Sequence, residues 1–152
     1  MKNIAYKQLD RKLAKLASAG EFARPARGWV RAVREALGIT TTQLAKRLGM
    51  SQPSVIGMEK AEQRGAISIE TLERAARALN CTLVYAFVPN SSLEETLKEQ
   101  ARKVAKKRLD RVSHSMRLED QGVSGAALKA EYERLVGELL RGNLHRLWDD
   151  DE

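Results

Sequence analysis

Residues Thr40 to Lys60 read TTTQLAKRLGMSQPSVIGMEK. Thr40 or Thr41 can cap a helix by offering its hydroxyl to an orphan backbone N–H. Leu44, Ala45 and Leu48 then fall on one inward face. Ala45 is small, which lets two helices cross closely. Gly49 follows where the chain must leave the helix through a left-handed conformation, and Met50 plugs the turn. Ser51 is the next cap candidate, and Pro53 stands in the first turn it opens, where a missing N–H costs nothing. Val55 and Met58 are three apart and point to the core. Gln52, Ser54, Ile56 and Gly57 are left facing outward.

Two short helices around a tight turn form a helix-turn-helix, whose second helix lies in the DNA major groove. The outward residues suit that task. Gln52 can make a bidentate contact to adenine, and Ser54 can reach a base edge or a phosphate. Gly57 permits close approach, and Ile56 can meet a thymine methyl. The DNA-contact set is therefore Thr41, Thr42, Gln43, Ser51, Gln52, Pro53, Ser54, Gly57, Lys60 and Arg64, with Arg31 from the preceding helix. The competing reading of the same pattern is an ordinary three-helix core with a solvated polar face.

Outward from that stretch, residues 26–37 (ARGWVRAVREAL) predict a helix with Trp29, Val30, Val33 and Leu37 inside. Arg27, Arg31 and Arg34 would face out and clamp phosphates. Ser68 caps a further helix, IETLERAARALN, with Ile69, Leu72, Ala75, Ala76 and Leu79 as its core face. Helices in this order predict a lambda-repressor-like architecture. The periodicity then changes. Cys81–Val88 (CTLVYAFV) is β-branched and aromatic, stopped by Pro89, and predicts a short β-strand. A single strand cannot stand alone. Pairing with the same strand of a second copy would give a homodimer, which also suits two half-sites about one helical turn apart. The alternative is an extended segment packed on the N-terminal helix.

Residues 2–18 predict a helix with Ile4, Leu9, Leu13 and Leu16 in its apolar stripe and Lys7, Arg11, Lys12 and Lys15 outside. Ser91 or Ser92 opens a long helix containing the basic run ARKVAKKR, either a solvated face or a phosphate contact. Residues 124–147 predict a last helix, with Leu128, Tyr132, Leu135, Val136, Leu139 and Leu140 on one side and Leu144, Leu147 and Trp148 extending it. The expected organisation is mainly α. It has an N-terminal helix and linker (1–24), a helix-turn-helix domain ending in the strand (25–89), and a C-terminal helical region (90–152).

Charge is unevenly spread over the 152 residues. Positions 1–60 carry twelve Lys/Arg against four Asp/Glu, and positions 109–152 carry six against ten. A basic front beside a helix-turn-helix suits a polyanion partner. A single cysteine, Cys81, excludes an intrachain disulfide and suits a reducing compartment; within an apolar run it reads as a small buried hydrophobe. No apolar stretch approaches the ~20 residues of a membrane span, and no signal-peptide core precedes the first helix. The expectation is a cytoplasmic protein. No enzyme, cofactor or metal is expected. His114 and His145 lack partners at ligand spacing, no glycine-rich phosphate loop exists, and Cys81 has no evident base.

The stretch from Gly28 to Pro89, GWVRAVREALGITTTQLAKRLGMSQPSVIGMEKAEQRGAISIETLERAARALNCTLVYAFVP, resembles the mobile mystery protein A family, Xre-type helix-turn-helix proteins carried on mobile elements. The resemblance extends through the C-terminal helices. It implies a partner, because family members are encoded beside mobile mystery protein B, which contains a Fic domain that transfers AMP from ATP to target hydroxyls. The pair then looks like a toxin–antitoxin module, with this chain as DNA-binding antitoxin, repressor of its own operon and Fic inhibitor. Fic inhibitors carry a helix with the pattern Ser/Thr-x-x-x-Glu-Gly/Asn. Ser115 and Glu119 match it, while Asp120 departs from it. The resemblance implies that Glu119 occupies an arginine fork otherwise used by ATP phosphate, with Ser115 on the same helix face. The alternatives are a surface glutamate at a helix end and a stand-alone Xre-type repressor with no toxin.

Overall fold

A computed structural model describes residues 4–16, 19–118 and 125–149, with side-chain surroundings given through Val112 and again from Gly125. The helices are α1 (Ala5–Leu13), α2 (Trp29–Ala36), α3 (Thr41–Leu48), α4 (Gln52–Gln63), α5 (Ile69–Ala78), α6 (Leu93–Leu118) and α7 (Gly125–Arg141). Short 3-10 turns lie at Ala19–Phe22 and Leu144–Leu147. The chain divides into two compact units, one made of residues 18–86 and the other of residues 1–17 with 87–152.

In the first unit α2, α3, α4 and α5 enclose one core. Val30, Leu44, Ala45, Val55, Met58, Ala75 and Leu79 are buried there, and Ile39, Leu48, Met50 and Leu72 pack against them. The helix ends follow from local chemistry. Thr40 and Gln43 form a reciprocal capping box, with Gln43 N–H donating to Thr40 Oγ1 (3.1 Å) and Thr40 N–H donating to Gln43 Oε1 (2.9 Å). Gly49 ends α3 at φ 66°, in the left-handed region. Met50 N–H then reaches back to Ala45 O at 3.0 Å. Ser51 caps α4 by accepting Ser54 N–H, and Ser68 caps α5 by accepting Thr71 N–H.

In the second unit α6 packs against both α1 and α7, and the Leu144–Leu147 turn touches α6 and α7. Ala101, Val104, Ala105 and Leu147 are buried. Asp10 of α1 supplies a distant cap to α6: its two carboxylate oxygens accept the N–H groups of Leu93 (2.8 Å) and Glu94 (3.0 Å). Ser92 adds the local cap through Glu95 N–H. The last helix ends at Arg141 rather than 147. Asn143 restarts the chain as a 3-10 turn, accepting His145 N–H, and Gln100 Nε2 donates to Leu147 O at 2.7 Å.

The expected β-strand does not form. Residues 81–89 have no regular secondary structure, and no strand exists among the described residues. Cys81 N–H donates to Ala76 O (2.7 Å), and among the described residues no backbone–backbone hydrogen bond follows until Ser92 O. The β-branched and aromatic composition reflects a preference for a pleated, half-buried surface. That preference is not realised without a partner strand, and the described residues offer none. Val84, Tyr85 and Phe87 are exposed. Cys81 is exposed as well, not buried. Several other expected core positions lie partly outside: Trp29, Leu37 and Ile69 stay exposed at helix ends, and Ile4 and Leu9 are exposed in the N-terminal segment.

Candidate nucleic-acid interface

The outer face of α4 is built by its own periodicity. Val55 and Met58 turn inward, leaving Gln52, Pro53, Ser54, Ile56, Gly57 and Lys60 exposed. At its start the Ser51 and Ser54 hydroxyls share a 2.7 Å hydrogen bond. Gln52 Nε2 donates to Thr41 Oγ1 at 3.1 Å. This bond ties the first turns of α3 and α4 together and aims the Gln52 amide. Its carbonyl oxygen and second N–H remain for a ligand, the pair that a bidentate adenine contact needs. Thr42 and Gln43 are exposed beside it, and Thr41 is half-buried. The Gln43 carbonyl oxygen is engaged in the capping box while its amide N–H groups are not.

The inner face of α4 carries two carboxylates that residue-type reasoning overlooks. Glu62 is 2 % exposed. Its Oε2 accepts Trp29 N–H (2.8 Å) and its Oε1 accepts Val30 N–H (2.9 Å), so it caps α2 from more than thirty residues away. Its backbone oxygen accepts Arg24 Nη1 at 2.6 Å. Glu59 faces Arg34, whose Nε and Nη2 donate to its two oxygens at 2.5 and 3.2 Å. Arg34 Nη1 also donates to Ile39 O (3.0 Å), just before the α3 cap. The hydrogen bond to Glu59 holds the Arg34 guanidinium in its charged form against the cost of burial.

Arg34 was expected on the outer, phosphate-facing side of α2; it is buried at 8 % exposure. The signal was present in the spacing. Glu59 and Glu62 stand four and seven residues after Val55, which places both on the apolar stripe of α4. A carboxylate on a buried stripe needs a cation or N–H partner. Arg31, from the DNA-contact set, is half-buried and donates to Glu35 at 2.8 Å. Lys60 and Arg64 are exposed at the far end of α4. The Ser115 side chain and Glu119 lie outside the described residues.

A family model described as helix-turn-helix matches residues 30–85. Residues 30–85 are a helix-turn-helix domain. The domain is Xre-like and supports a DNA-binding transcriptional regulator. No curated protein and no solved structure gives a significant match to the chain. The match covers α2 to α5 and the start of the irregular segment after α5, the same stretch that holds the capped turn, the inward carboxylates and the exposed face of α4. No helix among the described residues is long and apolar enough to cross a membrane.

Beside the helix-turn-helix core, Trp29, Val33, Leu72, Ala76, Leu83 and Val84 line an apolar groove of about 300 Å³. The irregular segment forms one of its walls.

Proposed function

We propose that the chain is a sequence-specific repressor that reads an inverted-repeat operator with α4, acts as a homodimer, and serves as the antitoxin that restrains a Fic-domain enzyme. One observation carries the DNA part. Both acidic residues of α4 are turned inward and satisfied, Glu59 by Arg34 and Glu62 by backbone N–H groups. Its exposed face therefore carries Gln52, Ser54 and Lys60 with no negative charge. A face free of unpaired carboxylates approaches phosphates more readily, since each carboxylate would repel the duplex.

In this reading Gln52 and Ser54 contact base edges, and Gly57 allows the groove wall to come close. Thr41, Thr42, Gln43, Ser51, Pro53, Lys60, Arg64 and Arg31 position the helix on the backbone. The homodimer contact is the exposed segment Cys81–Val88, whose Val84, Tyr85 and Phe87 side chains and unpaired backbone groups are open to a second copy. Two copies would present two recognition helices to two half-sites. The antitoxin role rests on the resemblance carried by residues 28–89 and on the Ser115–Glu119 pattern.

Binding to the DNA upstream of the chain's own gene, titrated in salt, tests the repressor. Gln52→Ala should lower the preference for that site over mixed sequence, and an unchanged preference would remove Gln52 from base reading. Co-expression with a Fic-domain protein, should the adjacent gene encode one, tests the antitoxin. Glu119→Gly should release AMP transfer, whereas full protection by the variant would leave a repressor alone.

A further inference from the structure

We infer that the middle of α6, from Arg102 to Arg111, is a second DNA-contacting surface, one that grips the phosphate backbone without reading sequence. This rests on the DNA-binding reading above and adds a separate surface to it. Between Arg102 and Arg111 the helix carries Arg102, Lys103, Lys106, Lys107, Arg108 and Arg111 against one carboxylate, Asp110. All six cations are exposed.

Three features separate this face from an ordinary solvated one. First, the charges are not balanced along the helix. The acids Glu94, Glu95 and Glu99 fall in its first two turns, where Glu94 pairs with Lys98 and Glu95 with Arg102. Among the described residues Lys103, Lys106, Arg108 and Arg111 make no ion pair. Second, Lys103, Lys107 and Arg111 recur at i, i+4 and i+8, a spacing at which like charges repel and weaken a helix. The cations at the helix C-terminal end suit the macrodipole, but that effect needs them only in the last turn, and the helix runs on to Leu118. Third, five of the ten cations of the helix-turn-helix unit are committed to the fold. Arg24, Arg31, Arg34, Arg47 and Arg77 each donate to an acceptor within that unit. The remaining cations of that unit are few, and α6 adds a further source of charge for phosphate capture. Lysine predominates in the run, and a mobile point charge suits a backbone contact that need not be bidentate.

The test uses the full chain and a mixed-sequence B-form duplex, so it does not depend on knowing the operator. Affinity is measured across a salt series for the wild type, for Lys103→Gln/Lys106→Gln/Arg111→Gln, and for the charge-retaining Lys103→Arg/Lys106→Arg. Each lost phosphate contact reduces the slope of log K against log salt by about 0.9. The expected result is a slope shallower by about two to three for the glutamine variant, with the arginine variant unchanged and both folded by circular dichroism. A slope equal to that of the wild type overturns the inference and leaves the DNA-binding reading intact, the strip then serving an acidic protein or only solvent. If the wild type binds no duplex even in low salt, both fall together.

Discussion

The Cβ that Gly28 lacks would lie 2.6 Å from Oε1 of Glu62. Gly28 also sits at φ 89°, where L side chains are strained. A glycine before α2 and a glutamate in the last turn of α4 are thus one feature: the absent side chain is the space through which the carboxylate reaches the open N-terminus of α2.

Gly28→Ala should therefore act far beyond its size. The positive-φ backbone costs a residue with a Cβ about 1–3 kcal/mol, and displacing Glu62 leaves its two N–H partners without their acceptors at a further ~1–3 kcal/mol. A urea midpoint lowered by the equivalent of about 3 kcal/mol with unchanged slope is expected. A loss below about 1 kcal/mol would mean that α2 is capped some other way.

Glu62→Gln keeps the shape and removes the second acceptor. The amide oxygen can take one N–H of Trp29 or Val30, while its NH₂ opposes the other. We expect a loss of about 2 kcal/mol in chemical denaturation. Stability equal to the wild type would show that one acceptor suffices.

Arg34 and Glu59 should behave as a unit. Arg34→Met alone leaves a buried carboxylate uncompensated, at about 3–5 kcal/mol. Arg34→Met with Glu59→Leu replaces the pair by apolar groups and should recover most of that loss. The coupling energy of a double-mutant cycle checks it, and additive effects would contradict the buried pairing.

Glu35 restrains a cation of the DNA-contact set. The hydrogen bond from Arg31 holds its carboxylate below the usual range, so its folded pKa is depressed. The pair's contribution is present above the ordinary carboxylate pKa and is lost as pH falls through the depressed value. At neutral pH Glu35→Gln should free Arg31 for phosphate. DNA affinity should rise a few-fold and the salt slope should steepen by up to about one. An unchanged slope would place Arg31 away from the duplex.

Ser51→Ala removes the α4 cap and should cost about 1 kcal/mol of stability. Because Ser51 Oγ also holds Ser54 Oγ at 2.7 Å, base discrimination should fall together with stability. A variant that loses stability while keeping its site preference would separate the cap from the reading face.

Local chemistry alone was enough to write the helix-turn-helix. Thr40, Gly49, Ser51 and Ser68 act through neighbours no more than five residues away, so their caps were legible in order along the chain. The exposure of Gln52 and Ser54 followed from the positions of Val55 and Met58. The C-terminal helices were legible as apolar stripes, but the stop at Arg141 and the buried turn around Leu147 were not.

What the amino-acid order determined by itself was the capped turn between α3 and α4, the cap of α5, and which face of α4 is left outside, because these depend on interactions within a turn or two. Tertiary structure decided which charges are available. Arg34 looked like a surface cation until Glu59 took it inward. Glu62 and Asp10 cap helices remote from them in sequence, and such partnerships leave no local trace. The segment after α5 shows the converse: its β-branched residues favour a strand, but a strand is a property of two chains of backbone, and one alone has nothing to pair with.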